Sequence, residues 1–263
     1  GWAEPVSWHH DFPGAPLAGV WYPSALADVL AGQDLDPGQY DIIAEFNKNI
    51  GQPGCREDWS WYFGLDGAVG NREKDLKSIA LHEFAHGMGF STPMNVVTGE
   101  RYQGLDDAFT MHLENHDWGK HFPAMTDTER QVCSTAAEDL HWAGAQVSAH
   151  SGDLEAGVDV GSGHVEMHAP SPYDDSAVTH FSYDLYPDDL MEPSMTGAIH
   201  EIGLAGWALG DIGWGDPAHC GDGIVNDDEE CDDDNAASGD GCDGWCTAEV
   251  APQSEGQLTC VTQ

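Results

Sequence analysis

His82-Glu83-Phe84-Ala85-His86 is the part of this sequence best equipped for chemistry. On a helix, residues four apart stand one above the other, so two imidazoles at that spacing can reach one Zn²⁺ at about 2.0–2.1 Å. Glu83 is offset by one residue. Its carboxylate would lie beside the ion rather than on it, where it can take a proton from metal-activated water and pass it to a leaving amine. A hydrolytic zinc site also needs a third protein ligand and one open position. The compact continuation Gly-x-x-His would put that ligand at Thr92, and threonine is a poor one. The third ligand must then come from elsewhere among the fourteen histidines.

Three choices can be weighed. His180 lies in an irregular stretch shortly before Leu190-Met-Glu-Pro193. His112 and His116 are also four apart, but Glu114 is misplaced for a base, and the pair reads as covering a solvated or half-buried face. His200-Glu201 imitates the start of the motif, yet Leu204 stands where the second histidine would be.

The zinc motif needs a helix, and the spacing predicts one from Asp75 to about Gly87. Leu76, Ile79, Ala80 and Phe84 recur at three- and four-residue steps, Asp75 is a fitting cap, and Gly87 and Gly89 mark the end. A helix is expected at 21–30 after Ser24, a strand at 41–46, and an aromatic strand at 59–64. Further helices are expected at about 105–115 and 127–142, with a last apolar stretch at 202–212. Between 143 and 198 the texture of Gly, Ser, Pro, Asp and His predicts a long irregular segment, of the kind that often carries function.

Composition narrows the classes. With 8 Lys plus Arg against 47 Asp plus Glu, the 263-residue chain carries a formal charge of −39. Such a surface repels phosphate backbones, so a nucleic-acid partner is excluded, and no run approaches the ~20 apolar residues of a membrane span. The acidic field favours cationic substrates at low salt. All eight basic residues precede position 131. Five of the seven cysteines fall in the last 44 residues, which suits a small crosslinked module in an oxidising compartment. That module is expected at 218–263, after a main domain at 1–217. Its dense carboxylate and amide oxygens suit Ca²⁺, with an acidic loop held by disulfides alone as the alternative. Cys55 and Cys133 are left for the main domain, where a disulfide between them is expected and buried free thiols are the alternative. The opening Gly-Trp-Ala-Glu, with no Met and no apolar signal segment, reads as the mature or trimmed form of an exported protein.

The string Leu81-His-Glu-Phe-Ala-His-Gly-Met-Gly-Phe90 resembles the zinc-binding segment of a family of secreted bacterial zinc metalloproteases common in myxobacteria. Flanking pieces in the family's order, from Trp21-Tyr-Pro-Ser-Ala-Leu-Ala27 through Leu190-Met-Glu-Pro193 to Asp211-Ile-Gly-Trp214, extend the likeness over most of residues 17–214. It implies a zincin-like α+β catalytic domain. It also implies Thr179-His180 as the source of the distal zinc ligand and Met191 as a methionine turn under the metal, core packing being the alternative for Met191. Where family members more often carry Gly-Ser-Ser before that histidine, this chain has Asp175-Ser-Ala-Val178. The tail is similar to a Cys-rich repeat of myxobacterial exported proteins, with related modules in pappalysin-type proteases.

The expectation is therefore a secreted, monomeric zinc endopeptidase acting on protein or peptide substrates. His82, His86 and His180 would hold the metal, Glu83 would be the general base, and Tyr183 is a candidate for assistance. The alternatives are a calcium-stabilised surface or adhesion module with a vestigial zinc site, and a zinc hydrolase of non-peptide amides or esters.

Overall fold

The computed structural model describes residues 1–215 together with Cys231 and Gly241. The chain divides into two units, Gly1–Gly215 and Asp216–Gln263. The expectations for the 218–263 module, its crosslinks and its Ca²⁺ lie outside the described residues.

The first unit is a mixed α+β structure of short elements. Its strands are β1 (Trp2–Pro5), β2 (Trp8–His9), β3 (Val20–Pro23), β4 (Ile42–Glu45), β5 (Ser60–Tyr62), β6 (Glu73–Asp75), β7 (Asp106–Asp107), β8 (Leu113–Asn115), β9 (Lys120–His121), β10 (Leu140–Trp142) and β11 (Val165–Glu166). Its α-helices are α1 (Ser24–Ala31), α2 (Leu76–Met88), α3 (Asp127–Cys133), α4 (Ala145–His150) and α5 (Leu204–Leu209). The strands form four small sheets, ordered β1-β4, β2-β3-β7, β5-β6 and β11-β10-β8-β9. Their inner faces and the helices share one core, in which Leu26, Phe90, Phe109, Leu113, Trp142, Phe181 and Met191 are fully enclosed.

Helix α2 begins where the sequence places it. Asp75 caps it by accepting from the Ser78 backbone N–H at 2.7 Å, and Gly89 closes it at φ 119°. The buried face is not the predicted apolar stripe. Ser78, His82, Glu83, Ala85 and Gly87 are the buried residues of this helix, while Phe84 is exposed. Gly87 is needed there, since a Cβ would meet Ile42 Cγ2 at 2.3 Å.

Two expected helices give way to other structure. At 105–115 the Asp107 carboxylate accepts from the Phe109 and Thr110 backbone N–H groups and closes a tight turn. The chain then enters β8. A short polar side chain that bonds its own backbone competes with helix in this way. At 127–142 the helix starts with a capping box between Thr126 and Glu129 but ends at Cys133, and Glu138 at φ 70° turns the chain into β10. The 143–198 segment is mostly irregular, as expected, apart from α4, a 3₁₀ turn and β11.

Cys55 and Cys133 are both free, which corrects the expected bridge. Cys133 sits wholly inside the core.

Candidate metal centre

Helix α2 carries His82 and His86 on successive turns, and the third imidazole comes from far along the chain. His180 is fixed by backbone pairing on both sides. The His168 N–H donates to its carbonyl at 2.8 Å, and the next residue, Phe181, donates to the Met191 carbonyl at 2.8 Å. Just upstream, the buried Val178 adopts φ 73°. A β-branched residue rarely takes this conformation, at a strain of order 1–2 kcal/mol.

The three rings converge. His180 Nε2 lies 3.2 Å from His86 Nε2 and 3.3 Å from His82 Nε2. Ligands on a tetrahedral zinc with 2.0–2.1 Å bonds are separated by about 3.3–3.4 Å, so the spacing fits the ion. The opposite nitrogens are all engaged with backbone carbonyls. His82 Nδ1 meets Leu190 O at 2.7 Å, His86 Nδ1 meets Phe90 O at 2.8 Å, and His180 Nδ1 meets Ser176 O at 2.9 Å. A carbonyl can only accept, so each Nδ1 carries the hydrogen and each Nε2 presents a bare lone pair to the other two.

Burial strengthens that reading. It pulls the His86 imidazole down to about 4, with the neighbouring His82 adding to the effect. Burial likewise lowers His82, and lowers His180 well below the ordinary histidine value. The rings are therefore neutral at pH 7, and no Nε2–H is available to bond one ring to the next. Three lone pairs facing one another at this distance repel unless a cation lies between them. The residues present fit a divalent metal with nitrogen preference.

Glu83, next to His82 on α2, is 8 % exposed, and its Oε1 lies 3.6 Å from the Gly1 nitrogen. It also lines a cleft of about 600 Å³. One wall of that cleft is the first half of α2, with Asp75, Ser78 and Ile79, and another is Pro193–Gly197. Arg56, Arg72 and Lys74 face it too, alongside Glu73, so three of the chain's eight basic residues gather at one cleft with three carboxylates, Glu73, Asp75 and Glu83. Arg72 pairs with Asp58 at 2.9 Å, whereas Arg56 and Lys74 lie over the Trp59 ring at 5.4 and 5.2 Å.

Met191 is completely buried in the turn Asp189–Glu192, directly after the residue whose carbonyl holds His82. Tyr183 is exposed, with its ring against His168 rather than the three converging imidazoles. His200 donates to Asp75 at 2.9 Å and so supports the start of α2. His112 stacks on Trp142, while His116 bonds Glu114, so the two do not form a pair.

Asp189 escaped the sequence reading. Burial raises its carboxyl to about 6, and it accepts from the Met191 and Leu204 backbone N–H groups, joining the Met191 turn to α5. Only its place beside Leu190-Met191 could have suggested such a role.

No family model, curated protein or solved structure matches the chain.

Proposed function

We propose that this protein is an exported zinc-dependent endopeptidase with a zincin-like catalytic domain. The observation that carries the reading is the approach of His180 Nε2 to those of His86 and His82, at 3.2 and 3.3 Å, with the Glu83 carboxylate one residue along α2 from His82. His82, His86 and His180 would hold the ion. Bound there, zinc would supply a Lewis acid that polarises a carbonyl and acidifies water.

The chain's own residues account for the rest. The Leu190, Phe90 and Ser176 carbonyls fix each imidazole's tautomer and rotation, so that little reorganisation is needed on loading. Glu83, one residue from His82 and open to the cleft, takes the proton from attacking water and returns it to the departing amine. The cleft beside it receives the substrate. Arg56, Arg72 and Lys74 share that cleft with the carboxylates of Glu73, Asp75 and Glu83; Arg72 is paired with Asp58, which leaves Arg56 and Lys74 as the basic side chains that could meet an acidic group of the substrate.

The test is cleavage of casein or gelatin with and without a zinc chelator, with zinc content measured in parallel. Chelator-sensitive cleavage and loss of bound zinc in His180→Ala, but not in His200→Ala, are expected. Cleavage by metal-stripped protein, or greater zinc loss from His200→Ala, would overturn the assignment. Hydrolysis of small esters or amides without any peptide cleavage would select the non-peptide hydrolase instead.

A further inference from the structure

A second group of imidazoles is gathered elsewhere, on one face of the sheet β11-β10-β8-β9. Strand register builds it. Glu114 of β8 is paired with His121 of β9 on one side and with His141 of β10 on the other, and His141 is paired with Glu166 of β11. His116 directly follows β8 and His164 directly precedes β11, and both rings reach the Glu114 carboxylate.

At the centre, Glu114 is 5 % exposed. Its Oε1 meets His116 Nδ1 at 3.0 Å and His164 Nδ1 at 2.5 Å, and its Oε2 lies 3.6 Å from His121 Nε2. The far nitrogen of His116 faces Asp159 Oδ2 at 3.7 Å. His141 is 4 % exposed, with its ring centroid 4.7 Å from that of His116. Its buried Nδ1 has no hydrogen-bond partner among the described residues.

We propose that Glu114, His116 and His164 form a second site for a divalent metal of zinc type, joining the 159–164 loop to the sheet. One carboxylate oxygen and two ring nitrogens converge from two separate segments of the chain; without an ion Glu114 accepts from both Nδ1–H groups, and a metal would take the place of those protons. Two imidazoles and a carboxylate suit Zn²⁺ and its borderline neighbours, and nitrogen ligands disfavour Ca²⁺ and Mg²⁺. Asp159, 3.7 Å from the far nitrogen of His116, lies on the side from which a carboxylate would support a metal-bound histidine, though it does not hydrogen-bond that ring. The loop presents His164 in a fixed way, because Asp159 bonds both to His164 O and, through its side chain, to Ser162 and the Gly161 backbone. His121 is the nearest further nitrogen. The rival is a metal-free cluster in which Glu114 simply accepts from two histidines.

Zinc titration of metal-stripped full-length protein, with bound metal counted by elemental analysis after dialysis, separates the two. His164→Ala should bind one equivalent fewer than the unmodified protein, as should His180→Ala, and the double variant two fewer. Zinc should raise the melting temperature of His180→Ala but not of the double variant. His116→Ala, at a second partly exposed position, should repeat the His164→Ala result. If His164→Ala and His116→Ala both bind as many equivalents as the unmodified protein, the site does not exist and the cluster is hydrogen-bonded only.

Discussion

The Nδ1–H of His82 donates to the carbonyl oxygen of Leu190 at 2.7 Å, joining residues 108 positions apart. The orientation of the first imidazole on α2 is thus set by a turn from the far end of the domain. Asp189 secures that turn by accepting from Met191 N at 3.3 Å and Leu204 N at 2.8 Å.

The Asp189 carboxyl, raised by burial from 3.8 to about 6, has a sign opposite to that of an ion-paired carboxylate. The folded chain holds this proton more tightly than the unfolded one. Its stabilising contribution is complete below about pH 4 and is lost as the pH rises through about 6. A shift of about two units corresponds to roughly 3 kcal/mol. In metal-stripped protein, Asp189→Asn should remove that dependence. Urea unfolding at several pH values between about 4 and 7 would show the gap between the two stabilities changing with pH; parallel curves would refute the assignment.

Glu83→Gln keeps the shape of the side chain but removes its basicity. Turnover should fall by about 10²–10⁴ while zinc content stays unchanged, as expected for a lost proton-transfer group. Retained turnover would remove Glu83 from the chemistry, and loss of zinc would show instead that it supports the metal.

The two free thiols differ in access. Cys133 is enclosed, and burial pushes its thiol up to about 11, which leaves almost no thiolate at neutral pH. Cys55 is partly exposed. Alkylation at pH 8 followed by peptide mass mapping should modify Cys55 in the native protein and Cys133 only after denaturation. A 55–133 crosslinked peptide would restore the bridge that the sequence suggests.

Arg56 and Lys74, the two basic side chains of the cleft that pair with no carboxylate among the described residues, predict substrate choice. Arg56→Ala with Lys74→Ala should lower kcat/KM about tenfold or more for peptides bearing acidic residues near the cleaved bond. Neutral peptides should change little, and added salt should shrink the difference, since exposed charges are screened beyond about 8 Å at physiological ionic strength. An equal loss on both peptide classes would mean that the two side chains shape the cleft rather than read charge.

Local spacing was enough to bring His82, Glu83 and His86 together, because the rise and rotation of an α-helix are properties of the backbone itself. The same holds for the Asp75 cap and the glycine end of α2, which depend on residues within one turn. Periodicity misled where a short-range polar bond could compete. The Asp107 carboxylate captures two nearby N–H groups and replaces the expected helix with a turn and a strand. It also misjudged which face of α2 turns inward, since the pattern of apolar residues does not record what lies opposite. His180 was singled out by its place in the chain and by resemblance to a protease family, but nothing in its neighbours dictates that its Nε2 should stop 3.2 Å from that of His86. The fold decides that, through pairing of 168 with 180 and of 181 with 191. The Glu114–His116–His164 group depends on strand register in the same way, because contacts across a sheet join residues whose separation in sequence carries no period to read.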